Sequence, residues 1–213
     1  MTPARVMQLV GQEEAKLIDR VFLATPPEKI VAFTAPERHS GCSWMVSRIA
    51  QRLAARTQAT VCAVDANFNW PALHTFFAIP SEPGLLDAAS RQRPLKEVAQ
   101  RIGNSNLWVV PAGTIAETSD AMPAIDSLKQ SLEDLARTFE YILIDTPAVG
   151  ASQGRNTSAG LGRSTVLIIA ANSTKRDPAL NAKMMLEAAE IPILGVVLNR
   201  RIFPIPDELF QYL

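Results

Sequence analysis

The residues with the clearest chemical potential lie between Ala32 and Ser43, a stretch that reads AFTAPERHSGCS. An apolar run, Lys29 to Thr34, leads into a turn with Pro36, and Gly41-Cys42-Ser43 opens a helix predicted over Trp44 to Arg56. Strand, glycine-bearing loop and helix in that order can cradle phosphate. Backbone N–H groups at the helix start face the anion, and a lysine and a hydroxyl complete the pattern GxxxxGK[ST]. Gly41 and Ser43 match that pattern, whereas Pro36 stands for the first glycine and Cys42 for the lysine. Arg38 and His39 are the basic side chains inside the loop, and Glu37 sits beside them.

Two carboxylates could serve such a loop. Asp65 follows the run Thr60 to Val64, and Asp145 follows Tyr141 to Ile144. A carboxylate at the tip of a buried strand is costly to desolvate unless it has a task, such as holding hydrated magnesium beside a nucleotide phosphate. Read singly, each is as well explained as a turn or helix-cap residue. Cys42 at a helix start, near His39, admits a redox or nucleophilic role, but no Asp or Asn completes a triad. A small residue filling a vacated lysine position is the simpler reading. Trp70, His74, Phe76 and Phe77 read as packing rather than as a base-stacking surface. Trp44 either lines or blocks the pocket.

Six short apolar runs must position these groups: Ile30–Phe33, Thr60–Val64, Leu107–Val110, Tyr141–Ile144, Thr165–Ala170 and Ile193–Leu198. None alternates between polar and apolar, which is the pattern of parallel strands covered on both faces. Helices are predicted between them over Trp44–Arg56, Leu95–Ile102, Ile125–Thr138 and Pro178–Ala189, with an amphipathic helix over Val6–Leu23 ahead of the first strand. Strands alternating with helices predict an α/β fold: a doubly wound, mostly parallel sheet with helices on both faces. The small-residue stretch Ala148 to Arg163 follows a strand end, where ligands of open α/β sheets sit.

One domain over residues 1–213 is expected, with a helical lead-in at 1–28 and a cap at 200–213 that carries Pro204, Pro206 and DELFQYL. The 21 basic and 21 acidic residues cancel, which leaves no electrostatic footprint for nucleic acid. The two cysteines, Cys42 and Cys62, suggest neither a disulfide framework nor a zinc motif. No apolar run approaches the roughly 20 residues that span a bilayer, so membrane association is expected only through a partner.

Four further segments carry a family resemblance: VDANFNWPALHTFFAIPSEPGLLDAA (Val64–Ala89), VVPAG (Val109–Gly113), YILIDTPA (Tyr141–Ala148) and GVVLN (Gly195–Asn199). In order and over nearly the whole chain they resemble the deviant-Walker P-loop ATPases of the MinD/ParA type. The likeness is greatest to the cytoplasmic bacterial tyrosine kinase (BY-kinase) domain of capsule and exopolysaccharide export. Departures cluster on charged positions. Cys42 replaces the phosphate-binding lysine, Asn67 the second aspartate of motif two, and Asn69 its arginine; Glu37 stands at the signature lysine of MinD-type loops. The C-terminal tyrosine cluster is reduced to Tyr212, and the ring-forming Glu-x-x-Arg-x-x-Arg is only hinted at by Glu14, Leu17 and Arg20.

The resemblance implies a pseudoenzyme that acts as a binding or regulatory partner in polysaccharide biosynthesis and export. Two alternatives stand: an active ATP-dependent tyrosine kinase or ATPase with Arg38, His39 or a partner supplying the cation, or an atypical ParA-like positioning protein. Gly41, Cys42, Ser43 and Asn199 would hold the nucleotide, with Asn199 at the adenine. Ser43, Asp65 and Asp145 would hold magnesium, and the two aspartates would be catalytic if the chain is active. ATP or ADP with magnesium, or no cofactor at all, both fit. The implied partner is a membrane-embedded polysaccharide co-polymerase or another export-complex protein, with a homo-oligomer open. The implied location is cytoplasmic, peripheral at the inner membrane through that partner.

Overall fold

The computed structural model describes residues 13–114, 124–151 and 158–200. Seven strands form one sheet: β1 (Ile30–Thr34), β2 (Val61–Asp65), β3 (Gln100–Arg101), β4 (Leu107–Val110), β5 (Tyr141–Asp145), β6 (Ser164–Ala170) and β7 (Ile193–Asn199). Their order across the sheet is β3-β4-β2-β5-β1-β6-β7, and every pairing is parallel except β3 with β4. The helices are α1, described over residues 13–21, α2 (Cys42–Arg56), α3 (Leu73–Phe77), α4 (Leu85–Ser90), α5 (Ile125–Leu135) and α6 (Arg176–Ala188).

Strand periodicity divides the core between two faces. Val31, Phe33, Val61, Ala63, Tyr141 and Leu143 join α1, α2 and α3 in one cluster. Their neighbours Ile30, Ala32, Cys62, Val64, Ile142 and Ile144 join α4 and α5 in another. Leu167 packs with Ala182 and Leu186 of α6. Both faces are therefore covered along the central strands, which is why those runs read as continuously apolar. At the edge the cover thins: β7 leaves Val196 57% and Leu198 53% exposed.

The predicted helix Leu95–Ile102 does not form. Leu95–Glu97 make one 3-10 turn, and Gln100–Arg101 pair antiparallel with Val109 and Trp108 as β3. The reason lies in Gly103-Asn104-Ser105-Asn106. Gly103 takes φ 54°, and the Ser105 hydroxyl donates to the Ile102 carbonyl, closing a hairpin turn.

Two of the shared segments are locked together. The Asp87 carboxylate accepts hydrogen bonds from the N–H of Gly84 at 2.8 Å and of Thr114 at 3.1 Å, while Leu85 and Leu86 donate to the carbonyls of Pro111 and Ala112. Gly113, at φ 85°, has no room for a Cβ against that carboxylate, and Gly84 has none against the Pro111–Gly113 backbone. The PGLLDA and PAG segments thus form a backbone clasp.

Candidate functional site

The carboxyl ends of β1, β2 and β5 bring the sequence-predicted residues together. Asp65 and Asp145 face each other in register at the ends of β2 and β5, and both are fully buried. Alternation along the strands turns both toward the face occupied by α2, whose first residue is Cys42. Backbone ties hold the loops in place: Thr146 donates N–H and Oγ1 to the Phe33 carbonyl, Thr34 Oγ1 donates to Pro147 O, and Val149 N–H donates to Ala35 O.

The two carboxylates differ in their surroundings. Asp65 Oδ1 accepts the N–H of Asn67 at 3.1 Å, and Oδ2 accepts those of Ala72 and Leu73, each at 2.9 Å. It fixes the turn that leads into α3, with both oxygens hydrogen-bonded to backbone N–H groups. Asp145 has no hydrogen-bond partner for either oxygen among the described residues. The Ser43 hydroxyl and the Cys42 thiol lie close enough to favour its charged form, without reaching full hydrogen-bond geometry.

Burial first, and the neighbouring Asp65 second, push Asp145 up to about 8. Burial also raises Asp65, but the N–H groups of Leu73, Ala72 and Asn67 oppose it, so Asp65 is the charged member and Asp145 keeps the proton. The Cys42 thiol is pushed well above its ordinary range by burial first and by Asp145 next.

The loop is a shaped cradle with one side filled. Gly41 takes φ 85°, and the N–H groups of Cys42, Ser43 and Trp44 begin α2 without intrahelical partners, as at any helix start. Ser40 Oγ donates to Glu37 O, closing the turn. Asn199 Nδ2 donates to Ser40 O at 2.9 Å, and its Oδ1 accepts the Arg200 N–H. A Cβ on Gly41 would clash with Asn199 Nδ2. Asn199, expected at an adenine, is therefore a clamp on the loop backbone.

The expected substitute cations are placed elsewhere. Arg38 stacks its guanidinium 3.3 Å above the Trp70 ring, which ties the loop to the β2–α3 turn. It also borders a cleft of about 460 Å³ with Pro36, Glu37, Gly150 and Asn181. His39 is exposed at φ 63°. Sequence reasoning passed over Arg200, whose Nε lies 3.8 Å from where a Cβ on Gly41 would stand. A basic residue directly after GVVLN was the available signal.

Of the aromatic residues read as packing, Phe77 is buried, while Trp70 and Phe76 are 42% and 43% exposed. Trp44 stands 38% exposed in the first turn of α2. Glu14, from the hinted ring motif, is buried and paired with Arg48 and Arg52 of α2, so its charge is spent within the chain. Residues 6–12 of the predicted first helix, Pro204, Pro206 and Tyr212 lie outside the described residues. Among the described residues no helix is long and apolar enough to cross a membrane.

The donor set partly suits a magnesium nucleotide. An orphaned buried carboxylate, a hydroxyl at the start of α2 and free N–H groups suit the cation and phosphate end. Cys42 stands where a lysine would, and the Asn199 amide is hydrogen-bonded to Ser40 O.

No protein-family model matches the chain. Its relatives by sequence are tyrosine-protein kinases. CpsD of Streptococcus agalactiae is 27% identical over 172 residues, covering 81% of this chain and 75% of the relative. YwqD of Bacillus subtilis (strain 168) is 22% identical over 139 residues, 65% of this chain and 59% of the relative, so the match spans little more than half of that kinase. Among solved structures, the kinase domain of Escherichia coli tyrosine kinase ETK aligns with a TM-score of 0.71 at 21% identity, over 84% of this chain and 71% of that one. The septum site-determining protein MinD from Pyrococcus horikoshii OT3, complexed with Mg-ADP, aligns with a TM-score of 0.68 at 19% identity, over 86% and 76%. The fold is that of the MinD/ParA-like P-loop group, and the sequence likeness is to the bacterial tyrosine kinases.

Proposed function

We propose that this chain is a catalytically degenerate BY-kinase-like module that serves as a binding or regulatory partner in capsular or exopolysaccharide biosynthesis and export. The observation that carries the reading is Cys42: a thiol stands at the start of α2 against a buried, unpartnered Asp145, where phosphoryl transfer would need a cation. A nucleotide with magnesium supplies the transferable phosphoryl group and the charge that the site must neutralise. Ser43, Asp145 and the first N–H groups of α2 would hold it. Positioning and charge neutralisation account for nearly all of phosphoryl-transfer catalysis. Losing one such contact commonly costs about 10²–10³ in rate. Asp65 is hydrogen-bonded to three backbone N–H groups, and Asn67 carries a carboxamide, which is no base, so neither stands ready to activate a hydroxyl.

The partner supported by the kinase likeness is a cytoplasmic segment of a membrane-embedded polysaccharide co-polymerase, which would bring the chain to the inner membrane. The second reading, an active enzyme, draws on one observation: the Arg200 guanidinium beside Gly41 puts a cation at the loop.

Calorimetric titration with ADP and ATP, with and without magnesium, alongside an ATP turnover assay, separates the two readings. The expected result is magnesium-dependent heat with ADP, lost in Asp145→Ala, and no turnover. Turnover abolished by Asp145→Ala and by Arg200→Ala would replace this reading with that of an active kinase or ATPase.

A further inference from the structure

The outer edge of the sheet concentrates apolar surface that the fold leaves open. β7 is the last strand in the order, and no described strand pairs with its outer side. Val196 and Leu198 stand opposite Leu167 and Ile169 of β6, so they share the face that Leu167 packs against α6. Both are exposed, as are Leu180 and Met184, one turn apart on α6. These four are nearly half of the nine large apolar side chains exposed among the described residues. Between α6 and the two strands lies a groove of about 560 Å³, lined by Leu167, Ile169, Leu180, Ile193 and Val196. Arg176 and Lys183 bring positive charge to it, and Lys183 Nζ lies 3.2 Å from Glu187 Oε1.

We propose that residues 201–213 of this chain occupy the groove and cover the apolar edge formed by β7 and α6. Three observations select that occupant. The segment continues from β7 through Arg200, at the end of the strand where Leu198 stands. Its composition matches the groove: Ile202, Phe203, Ile205, Leu209, Phe210 and Leu213 supply apolar side chains, and Asp207 and Glu208 complement Arg176 and Lys183. Its length suffices, since residues 201–213 can reach about 43 Å when extended, whereas the seven residues of β7 span about 23 Å.

Tethering favours this segment over a second copy of the chain. A short connection holds it beside the groove at an effective concentration on the order of millimolar, which a free copy matches only at that bulk concentration. Large exposed apolar patches mark interaction surfaces, and here the sequence carries a complementary partner. Asn199, which holds Ser40 O, lies just before the segment, so docking would also anchor the strand end that clamps the phosphate loop. The inference does not depend on whether that loop takes a nucleotide.

The test is zero-length carbodiimide coupling of the full, unmodified chain, read by mass spectrometry. Lys183 should couple to Asp207 or Glu208 within a single chain, and the Lys183–Glu187 pair serves as the internal reference. Hydrogen exchange of the same chain should show the amides of residues 207–213 slowed at least about 10-fold relative to free-peptide rates. Leu180 is 44% exposed, so Leu180→Glu leaves the core intact while placing a charge in the groove. That variant should lose both the coupling and the slowed exchange. The proposal falls if Lys183 couples to Glu187 but to neither acid of the segment, or if the coupling occurs only in covalent dimers, which would make a second copy the occupant. It falls equally if residues 207–213 exchange at free-peptide rates, or if their protection survives Leu180→Glu.

Discussion

Asp65 and Asp145 stand opposite each other in register on neighbouring parallel strands, and among the described residues Asp65 accepts three N–H hydrogen bonds where Asp145 accepts none. Removing them should have opposite effects. Asp65→Ala leaves the N–H groups of Ala72 and Leu73 unpaired at the start of α3 and should cost about 2–4 kcal/mol. Asp145→Asn replaces a group that is already neutral and should hold or raise stability at pH 7. Urea unfolding of both variants checks the contrast.

The same asymmetry sets a pH dependence. Asp145 is pushed up to about 8 in the folded chain, while an unfolded aspartate titrates near about 3.9. Between those limits the folded state holds a proton that the unfolded state has released, so this group makes stability fall as pH rises from about 4 to 8. Thermal midpoints without divalent metal should decline over that window, and Asp145→Asn should flatten the decline.

Gly41 answers to two demands, a left-handed backbone and contact with Asn199. Gly41→Ala should destabilise by about 2–3 kcal/mol, combining φ strain with the clash. Adding Asn199→Ala should recover the steric share while losing the Ser40 clamp. A double-mutant cycle in urea should therefore give coupling on the order of 1 kcal/mol.

Asp87 offers a contrast far from the loop. Burial raises its pKa, but the N–H groups of Gly84 and Thr114 outweigh that, and its carboxyl lies below the usual range. Its stabilisation is present above about pH 3.9 and is lost as pH falls through the lower folded value. Asp87→Ala should cost about 1–2 kcal/mol in unfolding experiments and leave magnesium-ADP titrations unchanged.

Glu14 is buried between Arg48 and Arg52, so Glu14→Gln should loosen α1 from α2 without altering assembly. The expected readout is a loss of about 1–3 kcal/mol in stability with the same mass by light scattering.

The central strands could be read from the sequence because burial on both faces leaves long apolar runs, and their ends at Asp65 and Asp145 lay within a residue of the expected place. The stretch Leu95–Ile102 could not be read. Its helical spacing was outweighed by the Gly103 turn, which gives β3 a partner in β4. The convergence of Gly41, Cys42, Ser43 and Asp145 was legible from strand-end logic. That Asp65 would be absorbed by Asn67, Ala72 and Leu73, or Asn199 by Ser40, was not. Those bonds depend on where two backbones run in space, which side-chain type alone does not encode.

The clasp between Asp87 and the Gly84 and Gly113 backbones bears on how kinship should be weighed in this group. A substitution there is penalised through folding whether or not the molecule performs any reaction, so those letters answer to the fold and not to the loop in which Cys42 stands. Likeness counted over such positions reports shared architecture, and occupation can drift beneath it unnoticed.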